Sequence, residues 1–428
     1  MVFLETLQGR RPKGNDIAHR PQTLVLGNLT KLASSPAPDL KQLNAPAVTS
    51  RLCSPSAPMK LGINGWRLQT RTGVARVLLN IVKHWTRDFV ADRFQKITLY
   101  SPTPLSPELP IPTFVERRVV GPNLNMLVWE NFRFAMAADD DVLFCPSFSR
   151  PLFAHRKTVT LVHEATQALF PQFYPTSARF IQTPLYGWSA RNSTLVITPS
   201  NQARQDIIKA YGAPAEKVRV VPLAPPEMFR PLADDPRVPQ IRKRYAAGEE
   251  PFFLFVGKIT PRRNVPSLIE AISELKIRGL PHKLVIVGLN TANVDIPGMV
   301  DRLGLADRLY YCEFVNDEDL ALLYSAAEGF ILPCSYEAVS LTVLEAQAAG
   351  TPVITSDTPG LREMTGDAAL FLRDSSVASI AEAMSTLGND AALRQSLTAR
   401  GLANAGHYSW RRTSDKTLNI LKEAASLL

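Results

Sequence analysis

Cysteine is scarce in this 428-residue sequence: Cys53, Cys145, Cys312 and Cys334 stand far apart and form no C-x-x-C pair. A disulfide framework and a thiolate zinc site are therefore not expected, and a reducing cytoplasm is the natural compartment. No run of about 18 uninterrupted apolar residues occurs, so no transmembrane helix is expected. No cluster of His, Cys, Asp and Glu has metal-ligand spacing, and no metal site is anticipated. Nor are basic residues interleaved with aromatics on one element, which argues against nucleic acid as a partner. What remains is globular in composition, with 45% hydrophobic and 20% charged residues. The length suits two or three domains.

Charge is unevenly spread. The chain carries 48 Lys and Arg against 39 Asp and Glu, a net of +9. Residues 1–250 hold 32 basic and 19 acidic residues, net +13, whereas residues 251–428 hold 16 and 20, net −4. A basic half joined to a mildly acidic half points to a polyanionic surface as a partner of the first half, ordinary surface solubility being the simpler alternative.

Residues 1–58 are rich in Pro, Ser, Arg and Lys without a sustained period. They have no apolar stretch with a cleavage site, as a secretory signal would. They read as a disordered N-terminal extension or an over-extended start, with the folded protein opening at Met59. From there short apolar runs alternate with amphipathic segments. Strands are expected at Leu61–Gly65, Ile97–Ser101, Val142–Cys145, Val159–His163, Leu195–Thr198 and Val218–Leu223. Val74, Val77, Leu78, Ile81, Val82 and Trp85 share one helical face between the first two. Residues 226–250, broken by prolines and charges, read as a link. A second alternating series follows, with strands at 252–256, 284–287, 309–314, 329–333, 353–356 and 369–372. Such alternation implies βαβ units and parallel sheets. Two doubly wound domains in tandem, 59–225 and 251–405, bind ligand between their strand carboxyl ends. Residues 406–428 are a final helix expected to return toward the first domain.

The densest chemistry lies in Leu332-Pro333-Cys334-Ser335-Tyr336-Glu337-Ala338-Val339-Ser340-Leu341-Thr342-Val343-Leu344-Glu345. Glu337 precedes a helix that Ser340 can cap, and Glu345 lies on its second turn. Backbone N–H groups at Val339, Ser340 and Leu341 would make an anion pocket flanked by two carboxylates. Spacing alone carries no weight here, because 39 acidic residues generate many such pairs by chance.

In context the region resembles the E-x7-E signature of retaining family-4 glycosyltransferases (glycosyl transferases group 1, bacterial mannosyltransferase-like), with Glu337 and Glu345 on its two glutamates. Asp319–Ala327, Ala349–Ser356 and Gly360–Ala369 agree with the neighbouring family text, and the resemblance extends over essentially all of 59–428. It implies the GT-B fold: α/β, with two Rossmann-like doubly wound domains facing across a cleft. One departure is Ala338-Val339-Ser340, which stands where the family commonly has Gly-Phe-Gly and narrows the space near the donor sugar.

The resemblance also assigns roles. Gly257-Lys258-Ile259-Thr260-Pro261-Arg262-Arg263 matches the loop whose basic pair grips the leaving diphosphate, Arg263 standing for the usual lysine and Arg262 or Lys258 supplying the other charge. Arg71-Thr72-Gly73-Val74-Ala75-Arg76 is similar to the family's opening R-T-G-V-G-R, whose glycine faces the donor. His163 matches the family's His-Asp position near the reacting carbon, with Glu164 in place of aspartate. Ile197-Thr198-Pro199-Ser200 fits as well, and Trp129-Glu130-Asn131 is a weaker match. The implied catalytic set is thus His163, Glu337, Arg263 and Lys258. The donor site is Gly73, Arg262, Ala338, Val339, Ser340, Leu341 and Glu345.

The implied reaction is retaining transfer of a hexose, of mannose type, from a nucleotide-diphosphate sugar to a glycan or polyprenyl-linked acceptor, with no metal or other cofactor. An anionic membrane face at the cytoplasmic side is a further expected partner, given the basic first half. The alternatives are a sugar-nucleotide epimerase of the same fold, which would act without an acceptor, and a basic nucleic-acid- or membrane-binding protein without catalysis.

Overall fold

Buried, branched and aromatic runs make the strands. Residues 59–70, 72–245 and 248–427 are described in the computed structural model, so the expectation for residues 1–58 falls outside the described residues. The first sheet comprises β1 (Met59–Asn64), β2 (Phe94–Ser101), β3 (Val115–Val119), β4 (Val142–Cys145), β5 (Lys157–Leu161), β6 (Leu195–Thr198) and β7 (Val218–Val220). Its order is β3-β2-β1-β4-β5-β6-β7, with every neighbouring pair parallel. The second comprises β8 (Phe252–Val256), β9 (Lys283–Val287), β10 (Leu309–Cys312), β11 (Gly329–Leu332), β12 (Val353–Ser356) and β13 (Leu370–Leu372), again all parallel, in the order β10-β9-β8-β11-β12-β13.

The two orders match over six strands, and the first sheet adds β7 at its edge. In each sheet the chain winds outward from its first strand and then crosses to the other side. The crossing lies between β1 and β4 in one sheet and between β8 and β11 in the other. Such a switch point opens a crevice at the strand carboxyl ends. Strands covered on both faces read as continuous apolar runs, as Val142-Leu143-Phe144-Cys145 and Phe252-Phe253-Leu254-Phe255-Val256 do.

The helices that matter for the site are α1 (Gly73–Lys83), α2 (Asn201–Tyr211), α3 (Val265–Ile277), α4 (Asp317–Ala326), α5 (Leu341–Ala348), α6 (Pro359–Thr365) and α7 (Trp410–Ser426). Alternate residues of the first sheet pack into different layers. Val142 and Phe144 join Leu78 and Ile81 of α1 with Trp410, Leu418 and Leu421 of α7. Leu143 and Cys145 face the other way, against Trp129, Phe134 and Ala138. The C-terminal helix thus completes the core of the first sheet, each of its large apolar side chains contributing about 1.5–3 kcal/mol on burial.

Two features depart from the sequence expectation. Strand β3 reads Val-Glu-Arg-Arg-Val with a single buried residue, so no apolar run marks this sheet edge. The stretch 226–250 is more than a link: Val238–Arg244 is a helix, and Phe229, Val238 and Ile241 are buried in the core of the second sheet. The proline near its start sits where an unpaired N–H would otherwise be, so it opens the helix and does not break it. No helix among the described residues is long and apolar enough to cross a membrane.

Candidate active site

At the carboxyl end of β8 the chain turns through Gly257, at φ 137°. A Cβ there would fall 1.8 Å from Nη1 of Arg263, so only glycine lets that guanidinium lie across the turn. Residues Pro261–Arg263 form one tight turn, and α3 follows. The neighbouring strand β11 runs into the loop 333–340, which is tied to the first loop because the N–H and hydroxyl of Ser335 donate to the Arg262 carbonyl at 2.8 and 3.3 Å.

Glu337 sits between two guanidiniums. Nη1 of Arg262 lies 2.8 Å from its Oε2, while Nη2 and Nε of Arg263 donate to its Oε1 at 2.9 and 3.1 Å. Arg262 also donates to the Tyr336 carbonyl at 2.8 Å. The carboxylate is buried, and α6 packs against the backbone of this loop: a Cβ on Gly360 would fall 2.3 Å from the Glu337 carbonyl oxygen. Burial works against the Arg262 charge, but Glu337 and Glu164 more than offset it and raise its pKa.

Glu345 is buried on the second turn of α5. Its Oε2 accepts from the Tyr324 hydroxyl at 3.2 Å, and Nη1 of Arg76 lies 3.6 Å from its Oε1. Burial pushes its carboxyl up to about 7, with Arg76 pulling the other way. Arg76 belongs to α1 of the first sheet's half and also donates to Asp317 of α4 at 2.9 Å. It therefore spans a cleft of about 1230 Å³ lined by Thr72, Gly73 and Arg76 on one side and by Phe314, Asn316 and Asp317 on the other.

From the first sheet, His163 follows β5 and is half-buried. Its Nε2 is 3.4 Å from the Pro146 carbonyl oxygen, and its ring lies 5.1 Å from that of Phe148. Burial lowers its pKa to about 4, so the imidazole is neutral at pH 7. Burial likewise raises the carboxyl of Glu164, against the pull of Arg262.

The two halves are bound together around these groups. The Ser200 hydroxyl accepts from Ala203 N–H at 3.0 Å, capping α2, and donates to the Ala338 carbonyl at 2.8 Å. The Tyr336 hydroxyl bonds to Asp206. Glu363 of α6 accepts from the backbone N–H groups of Asn201 and Gln202 at 2.7 and 2.8 Å, capping α2 from the opposite half.

Glu337, Arg262 and Arg263 thus come together, and Glu164 of the other half acts on Arg262; Glu345 pairs with Tyr324 and Arg76, and His163 packs on the loop at Pro146 and Phe148. Lys258 does not join them: its side chain is exposed, and the second cation on Glu337 is Arg262. Ser340 precedes α5, but its hydroxyl meets Thr342 Oγ1 at 2.9 Å and caps no backbone N–H. Ala338 and Ser340 are buried, Val339 and Leu341 half-buried. Gly73 opens α1 beside open space, with no atom within 4 Å of where its Cβ would be. Sequence reasoning gave no role to Arg76, Tyr324, Asp206 or Glu363, although Arg76, Tyr324 and Glu363 lie inside the quoted motifs. Among the described residues no three His, Cys, Asp or Glu side chains gather as a metal site.

Comparison with known proteins bears on this arrangement. Residues 238–403 match Glycosyl transferases group 1, and residues 71–224 match Glycosyltransferase Family 4. The O-antigen chain mannosyltransferase B of Escherichia coli is 29% identical over 288 residues, 66% of this chain and 74% of that protein. The O-antigen chain mannosyltransferase RfbU of Salmonella typhimurium is 26% identical over 273 residues, 61% of this chain and 71% of its own. Among solved structures, Anabaena HepE in complex with UDP and glucose superposes with a TM-score of 0.67 at 17% identity, covering 86% of this chain and 100% of its own. WaaG, a glycosyltransferase involved in lipopolysaccharide biosynthesis, gives 0.63 at 18%, covering 84% and 99%. Two parallel sheets sharing a six-strand order, a cleft between their carboxyl ends and a family match on each side of it lead to one assignment: the chain belongs to the group 1, family 4 glycosyltransferases and is a transferase of the GT-B fold.

Proposed function

We propose that this transferase moves a hexose, of mannose type, from a nucleotide-diphosphate sugar to a glycan or polyprenyl-linked acceptor, with retention at the anomeric carbon and without a resident metal. The observation that carries this is the pairing of Arg262 and Arg263 on Glu337 at the carboxyl ends of β8 and β11. Forked guanidiniums in a half-buried loop suit diphosphate oxygens, and a carboxylate between them suits sugar hydroxyls. The relatives named as mannosyltransferases and the neighbour solved with UDP and glucose support a nucleotide-sugar donor.

As the bond from the anomeric carbon to the diphosphate oxygen breaks, negative charge grows on the phosphate, and Arg262 and Arg263 stabilise it with the N-terminal end of α5. Glu337 orients the sugar and Glu345 holds the ribose diol. The neutral His163 lies against the sugar from the other half. The acceptor oxygen attacks from the face the diphosphate leaves, and its proton passes to a phosphate oxygen of the leaving group.

Nucleotide release and thermal shift measured across GDP- and UDP-sugars will identify the donor, with GDP-mannose expected to respond. Glu345→Ala is expected to weaken that donor's binding by about tenfold to a hundredfold, the loss of a charged hydrogen bond to a diol. Unchanged donor affinity in this variant would remove Glu345 from the site.

The acceptor side extends the proposal to an anionic membrane at the cytoplasmic face. The helical stretch 126–137, the loop 146–156 and the helical stretch 178–192 cover one face of the first sheet, and they expose Phe132, Met136, Phe153 and Phe180. Arg133, Arg156 and Arg179 are exposed among them. Exposed aromatic side chains with arginines on the same elements fit an acidic lipid surface. Sedimentation with phosphatidylglycerol vesicles, weakening as salt rises and several-fold weaker for Phe153→Ser with Phe180→Ser, is the expected result. Equal binding to neutral phosphatidylcholine vesicles would overturn it.

A further inference from the structure

The triplet Trp129-Glu130-Asn131 has no part in the donor chemistry, yet it is built into the support of His163. Residues Trp129–Phe134 form a π-helical turn within the helical stretch 126–137, an irregular turn that re-aims successive side chains. Trp129 anchors it: its indole N–H donates to the Val120 carbonyl at 2.6 Å and its ring stacks on Phe134. Glu130 and Asn131 then both reach one loop. Glu130 is fully buried, and its Oε2 accepts from the Ser149 hydroxyl at 2.7 Å. Oδ1 of Asn131 accepts from the Leu152 N–H at 2.7 Å.

The loop held in this way is the one that touches His163. Pro146 offers its carbonyl to His163 Nε2, and Phe148 lies with its ring 5.1 Å from the imidazole and 5.1 Å from Tyr186. Phe148 has φ 68°, a left-handed conformation that a phenylalanine keeps only when its surroundings impose it. Its N–H donates to Leu161 at the end of β5, two residues before His163. Glu130, through Ser149, fixes the residue next to that strained position. A fully buried carboxylate bonded to a single hydroxyl, its second oxygen unpartnered among the described residues, is a costly way to fill space. An apolar side chain would pack there more easily.

We infer that Glu130 is a positioning residue for His163, acting through Ser149 and the 146–152 loop to set where the imidazole stands against the donor sugar. This rests on the reading of His163 as the group beside the reacting carbon. The experiment compares Glu130→Ala, Glu130→Gln, Ser149→Ala and His163→Ala in the full chain, with the donor identified by the nucleotide-sugar screen. Glu130→Ala and Ser149→Ala are expected to lower kcat by about tenfold to a hundredfold, the effect of a misplaced group near the reaction. Donor affinity, set on this reading chiefly by Arg262, Arg263, Glu337 and Glu345, should stay within about twofold, because none of these side chains contacts Glu130 or Ser149. Glu130→Gln keeps an oxygen for Ser149 and should restore most of the turnover. The His163 ring resonances, followed by NMR against pH, should titrate nearer the ordinary histidine value in the alanine variants and stay low in Glu130→Gln. Should Glu130→Ala fail to fold, Ser149→Ala carries the same comparison. Normal turnover in Ser149→Ala beside a dead His163→Ala overturns this inference alone. Normal turnover in His163→Ala overturns the reading of His163 and this inference with it.

Discussion

Arg263→Ala is expected to lower kcat for sugar transfer by about a hundred- to a thousandfold, the range for removing one preorganised donor from a developing negative charge. The fold should survive. Glu337 keeps Arg262 at 2.8 Å, so the buried carboxylate is not left without a counter-charge. Arg263→Lys retains the charge but loses the fork that places Nε and Nη2 together on one carboxylate oxygen, and should fall between alanine and wild type. Lys258→Ala is the contrast. That side chain is exposed and stands apart from the Glu337 cluster, so its loss should cost less than tenfold, in keeping with a screened surface charge. Steady-state nucleotide release with the identified donor ranks the three variants. Near-normal turnover in Arg263→Ala would sink the assignment of this loop to the leaving diphosphate.

Much of this architecture was legible in the sequence because burial writes itself into composition. Strands such as Phe252–Val256 and Val353–Ser356, covered on both faces, are apolar from end to end, and the read boundaries coincide with those of the structure. Where burial is one-sided the signal fails. Strand β3 has one buried residue, and the helix Val238–Arg244 hides behind prolines and three consecutive basic residues. The site divides in the same way. Glu337, Glu345 and Arg263 lie in local motifs, whereas the contacts that join the two halves do not. Arg76 meets Asp317 across 241 residues of sequence, Glu363 caps a helix 161 residues before it, and Tyr336 finds Asp206 across 130. No period or spacing encodes such pairs, because they depend on how two separately wound sheets face each other. The cation on Glu337 shows the same limit at short range. Arg262 and Lys258 are equivalent as charges in a loop, and only the folded loop shows that Arg262 pairs with Glu337 while Lys258 is exposed.

At pH 8, Glu130→Gln is expected to be more stable than the wild-type chain by about 3 kcal/mol, with the difference vanishing toward pH 4.5. Burial raises the Glu130 carboxyl from 4.5 to about 7, against the Ser149 hydrogen bond and the nearby arginines. An acid whose pKa is raised on folding adds stability that is full below its unfolded value and is lost as pH climbs through its folded value. Between pH 4.5 and about 7 the wild type therefore loses stability, because the unfolded chain gives up this proton while the buried carboxyl still holds it, and the glutamine variant has no such proton. Glu345, raised to about 7, acts in the same direction. His163, lowered to about 4, acts in the other, its contribution present above 6.5 and lost as pH falls through 4. Both remain in the two proteins and cancel in the difference, provided that the substitution leaves their surroundings in place. Denaturant unfolding of wild type and variant at pH 5, 6, 7 and 8 measures that difference directly. A gap that widens with pH assigns the titration to Glu130. A constant gap, or a wild type that is the more stable at pH 8, would mean that Glu130 titrates alike in the folded and unfolded chain, and the burial argument would fail.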